Sequence, residues 1–322
     1  MKRFILSLSI VLAAAMNMQA ETKDFPVDFS VDGLEYQIVA NHGNNLYSVW
    51  VSDDLEPYKT GTVTIPTYFV HDGKTCVVTA INYYWPMENG LTKLVVPIGI
   101  DTIQKNAFML TYTLQEIDIQ YVKYIGASAF SMTGIKQLTL SGANLQYLGE
   151  ACFGLNKQLT KVTITAPQLK ELPKWAFDYC EKLATVNINN NLTKIGEQAF
   201  SNNKTIQKIT LPASLKSLGN NVFWGDENLK EIKCLATTPP TATSETFSGL
   251  NTANLKVIVP VGTVSKYKSA TGWKDLNITD GTQDVDNVSV QHGTPIKVIE
   301  NGQVVIRSGE NTYTVTGQEV RF

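Results

Sequence analysis

Six phenylalanines set the period of this chain. Phe108, Phe130, Phe153, Phe177, Phe200 and Phe223 follow one another at spacings of 22, 23, 24, 23 and 23 residues, and self-similarity at a period of that size marks a solenoid. An aliphatic residue stands five positions before each Phe, at Ile103, Ile125, Leu148, Leu172, Ile195 and Leu218, and Ala or another small residue precedes most of the rings. A second aliphatic column follows at Leu114, Ile135, Leu159, Leu183, Ile206 and Leu229. It leads into the alternating pairs Ile117/Ile119, Val162/Ile164, Val186/Ile188 and Ile209/Leu211. Alternation over so few residues predicts a short strand with its aliphatic side chains inward. The stretch around each Phe predicts a helical or irregular return whose ring fills the same core. No such coil is stable alone, because its apolar side chains, at roughly 1.5 to 3 kcal/mol gross each, are covered only when neighbours stack on both faces. Stacking is expected to place successive strands about 4.8 Å apart in one continuous parallel sheet.

The recurring IGxxAF and LxxIxLP patterns, as in Ile195 to Phe200 and Ile206 to Pro212, resemble the BspA-like, or Treponema-type, leucine-rich repeats of bacterial surface proteins. Upstream, Val31 to Val39, Gly61 to Ile81 and Leu91 to Pro97 are similar to the β-rich opening module of that family. Downstream, Thr238-Pro239-Pro240, Phe247, Leu255 to Pro260, Tyr267 and Trp273 are similar to its closing coil and cap, so the resemblance runs over residues 27 to 278. It implies a leucine-rich-repeat solenoid with short parallel strands in 22-24-residue coils, a β-rich N-terminal cap and a small C-terminal β tail. It also implies a cell-surface or secreted adhesion and interaction protein that binds a macromolecular partner, host extracellular or bacterial surface protein, through the solenoid face. The alternative is a structural or accessory glycan-binding module of a surface polysaccharide-handling system.

Four segments follow from the patterning. Residues 1–20 read as a signal peptide, with Lys2 and Arg3 before the apolar run Phe4 to Ala15 and small Ala20 at the cleavage position. The run is shorter than the roughly 20 apolar residues a membrane span needs. The first cysteine, Cys76, lies too far on for a lipid-modified N-terminus. Residues 21–101 form the β-rich cap leading into the first coil, with turns at Asp32-Gly33, Asn41 to Asn45 and Asp72-Gly73. Residues 102–278 carry the repeats and their closing cap, where Tyr267, Trp273 and Leu276 cover the last coil. Residues 279–322 form a small β tail with strands Ile296 to Ile299, Val304 to Arg307 and Asn311 to Val320, and a hairpin signal at Asn301-Gly302. Tyr313 to Val320 is similar to the C-terminal sorting domains of Bacteroidetes outer-membrane secretion, although the usual basic ending is reduced to Arg321. A sorting or attachment tail and a β tail with no targeting role both stand. The expected location is the cell surface, associated with the outer membrane, or secreted.

Charge and chemistry exclude more than they suggest. Losing a leader with two basic residues and no acidic one moves the formal net charge from -2 to -4, and no basic run points to nucleic acid or an anionic membrane. His42, His71 and His292 stand far apart in the sequence with loop-like neighbours, so no metal cluster or triad is suggested. Gly73-Lys74-Thr75 lacks the first glycine of a phosphate-binding loop, Tyr68 standing in its place, and reads as a hairpin turn. GxSxG and HExxH are absent. No catalytic residue, metal or cofactor is expected, and the chain is not expected to be an enzyme. Cys76, Cys152, Cys180 and Cys234 occupy core columns without CxxC spacing and read as buried free thiols.

The outward strand positions carry the expected partner face. Its central row is Asp118, Thr139, Thr163, Asn187, Thr210 and Lys233, flanked by Glu116, Gln137, Lys161, Thr185, Lys208 and Glu231. A row of Thr and Asn without aromatic platforms favours a protein or peptide over a glycan, and the same residues also suffice to keep a sheet soluble. The exposure of Trp50, Trp85, Trp175 and Trp224 discriminates further, since exposed indoles favour a glycan and buried ones do not.

Overall fold

The computed structural model describes residues 29–52, 59–82, 90–188 and 191–281, together with the backbone of the strands at 296–300, 303–308, 311–314 and 319–320. The leader, Trp85, His292, the Asn301-Gly302 turn and 315–318 of the sorting-like motif lie outside the described residues. The chain divides into one unit spanning residues 1–281 and a second spanning 282–322.

The first unit is a β-solenoid of parallel strands with almost no helix, and each coil has three sides. A broad ladder carries the alternating strands, from Gly61–Thr64 and Leu91–Val95 through Glu116–Asp118, Gln137–Leu140, Lys161–Ile164, Thr185–Ile188, Lys208–Leu211, Glu231–Cys234 and Lys256–Val259 to Asn277–Asp280. A narrow ladder of two-residue strands, at Thr102–Ile103, Tyr124–Ile125, Tyr147–Leu148, Glu171–Leu172, Lys194–Ile195 and Ser217–Leu218, forms the second side. The aliphatic residue five places before each Phe is the inward member of this second strand. After it the chain must pass against the preceding coil, which explains the recurring glycine. A Cβ at Gly149 would lie 2.3 Å from the Ala127 backbone nitrogen, and one at Gly126 2.4 Å from that of Lys105.

The third side, the return, is irregular and not helical. Residues two before and two after the ring take the left-handed conformation, as at Asn106 and Leu110, Ser128 and Met132, Ala151 and Leu155, Trp175 and Tyr179, and Gln198 and Asn202. That geometry aims every second N–H at the next coil. Asn106, Phe108 and Leu110 donate to the carbonyls of Ala127, Ala129 and Ser131 at 2.8 to 3.0 Å, and the pattern repeats coil by coil. Left-handed backbone costs a non-glycine residue about 1 kcal/mol, and the inter-coil bonds hold it in place. The rings then stack with centroids 5.3 to 6.4 Å apart from Phe108 to Phe247, and the first six are fully buried. Offset stacking of this kind contributes about 0.5 to 1.5 kcal/mol per pair beyond the area buried.

The strands do not form one continuous sheet. Hydrogen bonding of the broad ladder is interrupted between Glu116–Asp118 and Gln137–Leu140 and again between Thr185–Ile188 and Lys208–Leu211. The narrow ladder is interrupted once, between Tyr147–Leu148 and Glu171–Leu172. The first interruption coincides with a change in coil length. Ile135 stands five residues after Phe130, where Leu114, Leu159, Leu183, Ile206 and Leu229 stand six after theirs. At each of these three junctions the other ladder remains paired, and the return bonds cross all of them.

Both ends continue the stack. The N-terminal strands Phe29–Val31, Leu34–Asn41, Leu46–Ser52 and Lys74–Ile81 join the same sheet as the narrow ladder, with Ala80↔Thr102 and Ile81↔Ile103 in parallel register. The solenoid pairing therefore starts well before residue 102, in coils that lack the Phe. Asp32-Gly33 and Asp72-Gly73 have positive φ at both residues, as tight hairpins require. At the other end a short helix, Val264–Ser269, brings Tyr267 under the last coil, and Trp273 meets Phe247 at 4.8 Å and 62°. The Tyr267 hydroxyl donates to the Ala236 carbonyl at 2.7 Å and the Trp273 indole N–H to that of Pro240 at 2.8 Å, so both polar tips are satisfied inside. Strand pairing continues to Asp280, two residues past the boundary expected at 278. In the second unit, Ile296–Glu300, Gln303–Ser308, Asn311–Thr314 and Glu319–Val320 form an antiparallel four-stranded sheet, with the last expected strand divided in two.

Candidate functional site

The interior return side carries a polar column three residues after each ring that the sequence reading did not single out. Asn156 donates to the Phe130 and Phe153 carbonyls at 2.9 and 2.8 Å while its carbonyl oxygen accepts from the Thr133 amide and hydroxyl, both at 2.7 Å. Asn203 donates likewise to the Phe177 and Phe200 carbonyls. Cys180 fills the same place with a weaker thiol contact to the Phe153 carbonyl at 3.4 Å. Asp226 fills it one coil after Asn203, where one carboxylate oxygen accepts the Asn203 backbone amide at 2.7 Å and the other has no hydrogen-bond partner among the described residues. Burial raises the Asp226 carboxyl well above the usual range; the Asn203 amide opposes this and nearby Asp178 adds to it. Asp178 is pushed up to about 6 by burial, against the hydrogen bonds of Ser201 at 2.6 Å and Asn202 at 2.9 Å. The asparagines in FGLN and FSNN were the legible signal for this column. Its groups face the protein's own backbone and serve the fold.

All four cysteines are free and buried, and burial raises the thiols of Cys152 and Cys180 far above reactive values. His42 is exposed and meets the Ser48 hydroxyl at 2.9 Å. His71 ends a strand, not a loop, and stacks on Phe29 at 4.5 Å. Among the described residues, no group of three or more His, Cys, Asp or Glu side chains could hold a metal ion.

The broad-ladder row lies where the strand alternation placed it. Thr139, Asn187, Thr210 and Lys233 are exposed, and Asp118 and Thr163 are half-buried. Thr139, Thr163 and Asn187 sit side by side in register, as do Thr210 and Lys233, while Asp118 is beside Val95. The two interruptions divide the row into three blocks. In the flanking column Lys93 pairs with Glu116 at 3.2 Å and Lys208 with Glu231 at 3.3 Å. The six row residues make no side-chain hydrogen bond or ion pair among the described residues.

Exposed aromatics lie on the other ladder. Tyr124 and Tyr147 are adjacent in register on the narrow strands, 42% and 54% exposed, and the Tyr124 hydroxyl meets the Gln146 side-chain oxygen at 3.4 Å. Tyr147 borders a groove of about 530 Å³ whose walls include Glu150, Glu171, Lys174, Lys194 and Asn220. Its lysines are occupied: Lys194 pairs with Glu171 at 2.6 Å and Lys174 with Glu197 at 3.1 Å. Both tyrosines directly precede an aliphatic of the column five places before the ring, and that position was their one signal in the sequence. Trp50, Trp175 and Trp224 are half-buried. The Lys174 ammonium covers the Trp175 ring at 4.1 Å and the Trp175 indole N–H donates to the Gln198 side-chain oxygen at 3.0 Å, whereas Trp224 lies against Gly249.

No curated protein matches the chain. Among solved structures it is similar to a leucine-rich repeat protein from Bacteroides ovatus (21% identity over 72% of this chain and 71% of that one, TM-score 0.41). It is also similar to a leucine-rich repeat protein of T. pallidum (19%, 62% and 90%, 0.48) and to the pneumococcal vaccine antigen PcpA (15%, 78% and 98%, 0.41). The pattern of the BspA type leucine-rich repeat region matches six copies over residues 79–168 and 155–271, more than half of the chain, and indicates no catalytic family. With its coils, ladders and ring stack in place, the chain belongs to the BspA-type leucine-rich repeat family.

Proposed function

We propose that this chain is an exported, surface-associated or secreted interaction protein that engages a protein partner through the broad ladder. The observation that carries this is the row Asp118, Thr139, Thr163, Asn187, Thr210 and Lys233. It is held in register in the blocks Thr139/Thr163/Asn187 and Thr210/Lys233, with Asp118 on the strand before them, and its side-chain groups make no internal hydrogen bond or ion pair among the described residues, while the neighbouring column is ion-paired at Lys93/Glu116 and Lys208/Glu231. Donors and acceptors fixed on rigid elements lose little entropy on binding, which is what a recognition surface needs. Membership of a surface-protein repeat family supports the same reading. No helix among the described residues is long and apolar enough to cross a membrane.

The test is binding of the purified chain to parallel arrays of extracellular proteins and of glycans. Alanine at Thr163, Asn187 and Thr210 together should abolish saturable protein binding while leaving the melting temperature in place. Protein binding unchanged in that variant would sink this face. One observation favours a second reading, the glycan-binding accessory module: the Tyr124/Tyr147 pair beside a groove of internally neutralised charge. Binding to the glycan array alone, lost in Tyr147→Ala, would replace the first reading with the second.

A further inference from the structure

The first interruption of the broad ladder is more than missing hydrogen bonds. The return after Phe130 is one residue short, and it passes close against the preceding coil: a Cβ at Gly134 would lie 2.3 Å from the Tyr112 carbonyl oxygen. The strand that follows, Gln137–Leu140, runs beside Glu116–Asp118 without pairing to it. Between the two lies a cavity of about 310 Å³, with Asp118, Gln120, Thr139, Ser141, Gly142 and Leu145 in its walls. Two members of the recognition row therefore stand at its mouth.

The chemistry of that cavity is one-sided. Among the described residues that line it, Asp118 is the only charged one. The neighbouring carboxylate, Glu116, is neutralised by Lys93 at 3.2 Å, and Lys136 of the next coil donates to the Gln115 side-chain oxygen at 2.8 Å. Asp118 has no ion pair or side-chain hydrogen bond among the described residues. Gln120, Thr139 and Ser141 add side-chain oxygens that accept hydrogen bonds. The volume is at the low end for ligand pockets, which suits the end of one side chain and not an extended ligand. A carboxylate with no ion pair of its own, beside side-chain oxygens that can turn toward a donor, favours a positively charged group, an ammonium or a guanidinium.

We propose that this broken junction is a pocket for a lysine or arginine side chain of the protein partner, with Asp118 as its counter-ion. The inference rests on the reading of the broad ladder as the partner face and names the chemistry of that partner. Elsewhere the row offers only neutral hydrogen bonding, apart from Lys233 at its far end. The pocket therefore supplies charge selection, and the rest of the row supplies register.

The test uses the full chain and small probes: N-acetyl-arginine methylamide and N-acetyl-lysine methylamide, with N-acetyl-norleucine methylamide as the uncharged control. Backbone amide chemical shifts of Asp118, Thr139, Ser141 and Gly142 are followed by NMR. Saturable shifts with the two cations and none with norleucine are expected, weakened at least about tenfold in Asp118→Asn and by raised salt. Equal shifts from norleucine, shifts that survive in Asp118→Asn, or no shift from either cation would overturn the pocket. The partner-face reading fails separately. If array binding is lost with Thr163, Asn187 and Thr210 but is indifferent to Asp118→Asn, the face stands and the pocket falls. If the cations bind while the array result ignores the Thr/Asn triple variant, the pocket stands without the face.

Discussion

The return side and the broad ladder of the same coils obey different rules. On the return, every junction from Phe108 onward is closed by ring stacking and by N–H groups that alternate into the next coil. On the broad ladder two junctions are open, and one of them encloses a cavity. Stability is thus concentrated where side chains are invariant in kind, and the strands are free to vary in outward residue and even in pairing. In a stack where each coil contacts only its neighbours, that division lets one side be modified without dismantling the other.

The sharpest way to break the comparison is to damage the return. Phe177→Ala removes a fully buried ring stacked on both sides at 5.8 and 5.6 Å and should cost about 3 to 5 kcal/mol. Urea unfolding followed by circular dichroism measures it. A loss no greater than that of the exposed triple variant on the broad ladder would mean that the return does not dominate stability.

The second effect is on pH. The Asp178 carboxyl, at about 6 when folded and 3.8 as its ordinary value, binds more protons in the folded state. Its contribution is complete below pH 4 and is lost as pH rises through 6. A carboxyl raised by about two pH units corresponds to about 3 kcal/mol. The first unit should therefore be more stable at pH 4.5 than at pH 7.5 relative to Asp178→Asn. That variant keeps the oxygen that accepts from Ser201 and Asn202 and should flatten this part of the profile. Parallel profiles for the two proteins would show that burial does not control this group.

How much of this was readable beforehand divides along the same line. The ring spacing and the strand alternation determine the solenoid, because both periods are dictated by what must face the core. The row from Asp118 to Lys233 was legible for the same reason. The narrow ladder was not, since two residues cannot display a period. The interruption at Asp118 was hidden because a single residue missing after Phe130 reads as ordinary variation in spacing. Its consequence emerges only when neighbouring coils are laid side by side. The polar column was overlooked because Asn, Cys and Asp share no hydropathy class although they occupy one position.

That column yields the third prediction. Asp226 stands where Asn156 and Asn203 each give two N–H bonds to ring-residue carbonyls, and its second oxygen is orphaned. Asp226→Asn should restore the donor toward Phe200 and Phe223 and remove a buried acid, raising stability at pH 7 by about 1 to 2 kcal/mol. A fall in the urea midpoint would mean that the carboxyl has found a partner that the repeat rule does not supply.

The smallest effect tests the return's backbone itself. Ser128 has φ 54° and a half-buried side chain that makes no hydrogen bond among the described residues, while its amide donates to the Glu150 carbonyl at 2.8 Å. Glycine at that position keeps the amide bond and removes the left-handed penalty of about 1 kcal/mol, offset in part by its greater freedom when unfolded. Ser128→Gly should raise the melting temperature by about 1 to 3 °C. Ser128→Val, with a branched Cβ that the left-handed region excludes, should lower it by more than glycine raises it. The same pair of substitutions at Thr163, an extended position on the broad ladder, should reverse in sign, because there valine fits the strand and glycine weakens it. If both sites respond alike, the left-handed return is not held by its inter-coil bonds, and the contrast between the two sides loses its physical basis.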